Sequence, residues 1–275
     1  MPIARNLTRR ALARSVTAGV AVGGLWAAGL RAMGVPNVPT LSVVGTGTSQ
    51  LALLDTTSAR VLVVLGMPSQ DLLDQIPAML TVLRQRIDLL IGDELALDGF
   101  GNLARDRWNV THELVIPAER GNHRAPDTTR RTIVRTDLAI DPGNGFASVL
   151  VVRPRHEWNM ATTTDGSTQR WALSVHREAT EIVLGPLAEG VLLVATSRPA
   201  LVVSPGDDPR LLVEKLGPAA VALNGSAVEE AGEALTSVAI VRIFRDDVAR
   251  FELLRDGVRL PRWSLPAYSS DSDRS

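Results

Sequence analysis

The chain has 275 residues, of which 45% are apolar, 21% charged and 4% aromatic, with 29 basic against 30 acidic residues and no cysteine. The apolar share excludes a disordered chain, and the missing cysteine excludes disulfides, thiol nucleophiles and cysteine zinc clusters. A formal net charge of −1 argues against a wholesale nucleic-acid binder.

Residues 1–14 carry Arg5, Arg9, Arg10 and Arg14 with no acid, and residues 15–30 then run without a charge. Thr8-Arg9-Arg10-Ala11-Leu12-Ala13-Arg14 resembles the twin-arginine export signal, whose paired arginines precede a mildly apolar segment rich in glycine and alanine. The uncharged run is just shorter than the about 17–25 residues of a transmembrane helix, so spanning needs the flanking arginines to snorkel. Residues 1–35 are therefore expected to be an export signal or membrane anchor that sends the remainder to the extracytoplasmic side. A buried N-terminal helix is the plainer alternative. Pro36 and Pro39 punctuate a short linker.

Beyond it, residues 41–44, 51–54 and 61–65 are β-rich runs that predict an antiparallel meander, with Gly45-Thr46-Gly47 as a turn. Ile76, Leu80 and Leu83 have helical spacing with Pro77 as the first residue, and 87–91 reads as a buried strand. The following small and acidic residues read as irregular, after which 112–116 and 133–140 resume the strand pattern. Further strands are predicted at 148–152, 171–176, 182–184, 191–194, 201–203 and 219–223. A turn is predicted around Asp165-Gly166, and a helix over 229–235. Another helix opens with Asp207 or Asp208 and Pro209 and ends before Gly217. The chain closes with a meander over 238–244, 248–254 and 258–260. Meander, alternation and meander predict two packed sheets with helices outside.

The segment Ile87-Asp88-Leu89-Leu90-Ile91-Gly92-Asp93-Glu94-Leu95-Ala96-Leu97-Asp98-Gly99-Phe100-Gly101-Asn102-Leu103 resembles the strand and metal loop of the metallo-β-lactamase fold family. In that family an apolar strand enters a Thr-His-x-His-x-Asp-His loop, and a Gly-Gly-Leu stretch then opens a helix. Here Asp93 stands for the threonine, Glu94, Ala96 and Gly99 stand for the three histidines, and Asp98 coincides with the aspartate. Residues 41–47, 50–54, 61–66, 218–226 and 242–260 are similar to the lactamase-like domain of competence DNA-internalisation channel proteins, with Val64 replacing a usual aspartate. Leu184-Gly185-Pro186 and Ala195-Thr196-Ser197 stand near later metal steps of the family and offer no ligand of the expected type. The resemblance implies an α+β protein, an αββα four-layer sandwich over 38–262 with a polar tail over 263–275. It implies a degenerate metal loop at Glu94, Ala96, Asp98 and Gly99, with no catalytic residue, no metal and no cofactor.

Alanine and glycine cannot coordinate, whereas Glu94 and Asp98 could offer oxygens to a hard cation or serve as a helix N-cap pair. His112, His123, His156 and His176 have neighbours in Glu113 and Glu157 but no paired ligand spacing, so a rebuilt site would require convergence from different strands. Arg124, Arg130, Arg131 and Arg135, with Arg120, make residues 120–135 the most basic internal stretch, a candidate anion-binding loop toward nucleic acid or else a solvated one. The leading expectation is an exported or membrane-anchored binding or structural module whose protein partner the sequence does not reveal. A metal-dependent hydrolase or phosphodiesterase with altered ligands, and a DNA-contacting accessory factor, are the alternatives.

Overall fold

The computed structural model describes residues 38–80, 86–117, 130–154, 169–186, 191–192, 198–205, 209–224, 238–244 and 247–261. The N-terminal segment 1–35, the tail 263–275, the Asp165-Gly166 turn and the helix expected over 229–235 lie outside them.

The first three apolar runs form the expected meander: β1 (Thr40–Thr46), β2 (Ser49–Asp55) and β3 (Arg60–Leu65), each antiparallel to the next. Nearly all their residues are buried because alternate side chains fill different cores. Val61, Val63 and Leu65 point between the two sheets, while Leu62 and Val64 point outward under helices. The first strand runs through Gly45 and Thr46, so the turn falls at Gly47, whose φ is +54°.

Two short helices follow, α1 (Gln70–Leu73) and α2 (Ile76–Met79). The first was not expected, and it forms because the Ser69 hydroxyl accepts from the Leu72 amide at 3.3 Å, capping its start. The second starts at Ile76, one residue before the Pro77 expected to open it, and ends at Met79 with Leu80 extended, short of the expected spacing to Leu83, which lies outside the described residues. β4 (Leu89–Asp93) is the buried strand expected there. The stretch after it, read as irregular, is instead helical: α3 (Glu94–Phe100) and α4 (Asn102–Arg107). Ala96, Leu97 and Phe100 supply a buried helical stripe that the glycine and acids around them mask in the sequence.

β5 (His112–Ile116) and β6 (Arg131–Ile133) continue the first sheet in parallel. The single strand expected over 133–140 is divided, because Arg135, Thr136 and Asp137 are exposed polar residues that carry the chain across to the second sheet. There β7 (Leu138–Gly143), β8 (Phe146–Pro154), β9 (Gln169–Arg177) and β10 (Thr180–Leu184) run antiparallel. Val191 and Leu192, expected in a strand, are helical. A short apolar run does not distinguish the two states. β11 (Leu201–Val203), β12 (Ala220–Asn224) and β13 (Ala239–Ile243) add in parallel, with α5 (Pro209–Leu216) between the first two. The helix ends as predicted at Gly217, which has φ +52° and donates to the Val213 carbonyl. The closing meander is also divided, with β13 in the second sheet and β14 (Ala249–Leu253) and β15 (Val258–Arg259) in the first.

The sheet orders are β15-β14-β1-β2-β3-β4-β5-β6 and β13-β12-β11-β10-β9-β8-β7. One core, with Leu41, Val63, Trp171, Leu201 and Phe251, draws on both sheets. A second joins the outer face of the first sheet to α1, α2 and α3, and a third joins the outer face of the second sheet to Leu212 of α5. The layers are therefore helix, sheet, sheet, helix, an α+β sandwich. Among the described residues no helix is long and apolar enough to cross a membrane.

Candidate functional site

Strand direction decides which loops share an edge. β1, β3, β4, β5 and β6 point the same way in the first sheet, and β10 to β13 do so in the second. A buried polar contact shows that both sets end at one edge. Asn224, the last residue of β12, donates through Nδ2 to the Gly47 carbonyl at 2.5 Å, and its Oδ1 accepts from Gln50 Nε2 at 2.9 Å. Gly45 is required beneath it, since a Cβ there would lie 2.3 Å from Asn224 Oδ1. The carboxyl ends of parallel strands are where open α/β sheets gather ligand-binding loops. Neither Asn224 nor Gln50 was singled out in the sequence, where each reads as one polar residue beside an apolar strand.

The resembling loop leaves β4 at this edge. Asp93 has extended backbone, with φ −72° and ψ 163°, and its Oδ1 accepts from the Ala96 amide at 2.8 Å, so it caps α3. Glu94 and Ala96 are buried, and Asp98 is exposed. Gly99 lies against Pro68 and Met67, at 3.4 and 3.6 Å from the place of a Cβ. Close seating of the helix on its strand needs Gly92, whose Cβ would meet Leu97 Cδ2 at 3.0 Å. Gly101, with φ +72°, separates α3 from α4, so the Gly-x-Leu stretch does open a helix. Arg105 then ties the segment down, with Nε 2.5 Å from Glu113 Oε1 and Nη2 2.6 Å from the Leu97 carbonyl.

Burial pushes the Asp93 carboxyl above its ordinary range, against the lowering effect of amide donors from Ala96 and Leu95, and the neighbouring Glu94 adds to the rise. The folded state then holds a proton that the unfolded chain has released, so stability falls as pH rises from the ordinary carboxylate value through the raised one. Asp93→Asn keeps an acceptor for the cap and is expected to flatten that slope in urea unfolding. Asp93→Ala should lose about 1 kcal/mol through the missing cap. An asparagine variant with the wild-type slope would remove Asp93 as its source.

The described histidines are not at this edge. His112 opens β5 opposite Leu89, roughly 13 Å along the strand from the level of Asp93, and its Nε2 is 2.9 Å from Thr132 Oγ1. His176 stands near the far end of β9, where its Nε2 is 2.8 Å from Ser174 Oγ, and the Ser174 hydroxyl donates to Glu181 Oε1 at 2.9 Å. His123 and His156 lie outside the described residues. Among those described, no three His, Cys, Asp or Glu residues are grouped to hold a metal ion. Arg130 precedes β6, Arg131 lies half-buried within it and Arg135 is exposed two residues past its end, while Arg124 is not among the described residues.

No family model and no curated protein matches the sequence. Solved structures do match. The metallo-beta-lactamase fold protein YhfI from Bacillus subtilis has a TM-score of 0.51 and 10% identity, covering 76% of this chain and 98% of that chain. Tm1679, a metal-dependent hydrolase of the beta-lactamase superfamily, has a TM-score of 0.50 and 12% identity, with the same 76% and 98% coverage. At such identities the likeness concerns the backbone, and it agrees with the layer order and the parallel edge described above: the chain has the metallo-β-lactamase fold.

Proposed function

We propose that this chain is a metallo-β-lactamase-fold binding or structural module that does not hydrolyse, delivered to the extracytoplasmic side or held at the membrane by residues 1–35. One observation carries the non-catalytic reading: Ala96, at a ligand position of the resembling loop, is a fully buried core residue of a capped helix. The residues present do not fit the metal that hydrolases of this fold use. Ala96 and Gly99 have no donor atom, and Asp98 is exposed while Glu94 is buried. A catalytic zinc normally takes three protein ligands and leaves a position open for the water it acidifies.

The test is the metal content of the purified protein by mass spectrometry, together with turnover of a phosphodiester and a lactam. The expected result is zinc far below one per chain and no turnover above buffer. One tightly held zinc per chain, with hydrolysis lost in Glu94→Ala, would overturn the reading in favour of an altered ligand set. The membrane part is read by fractionation, where an intact N-terminus in the soluble cytoplasmic fraction would contradict it.

A further inference from the structure

Four large apolar side chains are exposed among the described residues: Met67, Leu95, Phe244 and Val149. Three of them lie within two residues of the carboxyl ends of parallel strands at the shared edge. Met67 follows β3, Leu95 follows β4 and Phe244 follows β13. Met67 is 68% exposed and Leu95 56%. Met67 reaches the Gly99 face of α3, and Leu95 lies four residues before Gly99, one helical turn away, so the two belong to one surface. Exposed apolar side chains gathered on one edge mark an interaction surface, whereas scattered ones do not.

Within the two segments that carry Met67 and Leu95 the charge is of one sign. Segments 66–74 and 93–101 hold Asp71, Asp74, Asp93, Glu94 and Asp98 and not one lysine or arginine, and Asp74 and Asp98 are exposed. An anionic membrane would be repelled by these carboxylates. A second copy meeting the same edge would set like charges together. The complement is apolar and cationic.

Resting on the non-catalytic reading above, we infer that this edge docks a protein segment in which leucine-like side chains alternate with arginine or lysine, the apolar groups covering Met67 and Leu95 and the cations facing Asp74 and Asp98. The probe is a fluorescein-labelled amphipathic peptide of leucine and arginine, with a glutamate-for-arginine version as control. Anisotropy is read on the full chain, and metal content is measured on the same sample. The arginine peptide is expected to bind with an affinity that falls as salt rises, and the control is expected not to bind. Met67→Ser with Leu95→Ser should weaken binding about tenfold or more, and Asp98→Asn should reduce the salt dependence. All three positions are exposed, so unchanged thermal unfolding is expected and separates lost binding from lost fold. No binding, or binding indifferent to these substitutions, would overturn the inference. So would a dimer that the Met67/Leu95 variant dissociates, or adsorption to anionic vesicles through the same pair. A zinc-free protein that ignores the peptide sinks the docking inference alone, whereas tightly held zinc with hydrolysis sinks the reading beneath it.

Discussion

Arg60→Met is expected to destabilise the chain by about 3–5 kcal/mol in urea unfolding, because it takes the arginine away from a buried carboxylate. Arg60 opens β3 and Asp55 closes β2, and the two are register partners. Arg60 Nε lies 3.0 Å from Asp55 Oδ2, with the side chains only 2% and 8% exposed. The backbone holds the pair from below: the Arg60 amide donates to Asp88 Oδ2 at 3.0 Å, and the Asp88 amide donates to the Arg60 carbonyl at 3.0 Å. Asp55, paired along the backbone with Thr40 on one side and Arg60 on the other, cannot turn to water at small cost when the arginine side chain is removed. Asp55→Leu combined with Arg60→Met should recover most of the loss, since a buried pair is replaced with little penalty when both charges leave together. Additive costs in the double variant would refute this account. The pair lies at the end of β3 opposite the α3 edge, so neither variant should change binding there.

How much of this was legible follows from what each residue had to compete with. The meander at 40–65 and the helix between Pro209 and Gly217 were readable because periodicity, proline and glycine agree there. Helix α3 was hidden, since Asp98 and Gly99 disfavour helix and its stripe of Ala96, Leu97 and Phe100 begins with a residue too small to weigh in an apolar count. Tertiary burial beneath the first sheet decided the matter, helped by the Asp93 cap, which sequence reading had placed at a metal-loop threonine. The split of residues 133–140 between two sheets depends on three exposed polar residues that could equally have formed a bulge. The Gln50–Asn224 contact joins residues 174 positions apart, and no local pattern announces such a pairing. The fold resemblance was legible for the opposite reason, because it rests on a gapless local register from Ile87 to Leu103 that no distant pairing has to supply.

Placing histidine at the ligand positions of the resembling loop separates those positions sharply. Ala96→His is expected to cost about 2–6 kcal/mol, the sum of overpacking and of burying a ring nitrogen without a partner. Ala96 is fully buried and belongs to the core built with Leu51, Val64, Leu97 and Phe100, beneath a helix held close to its strand at Gly92. Gly99→His should be mild, because a Cβ there meets Pro68 at the ordinary contact distance of 3.4 Å and glycine is a poor helix former. Zinc should leave the thermal midpoint of Ala96→His where it stands, since an imidazole at 96 faces the sheet and one at 99 faces Pro68 and Met67. A ligand set needs donors that converge on one point, and on this helix positions 94 and 96, two residues apart, point to opposite sides of the axis. If Ala96→His folded with wild-type stability and gained stability on adding zinc, the loop would be an intact metal scaffold that had merely lost side chains, and the helical account of 94–100 would fail.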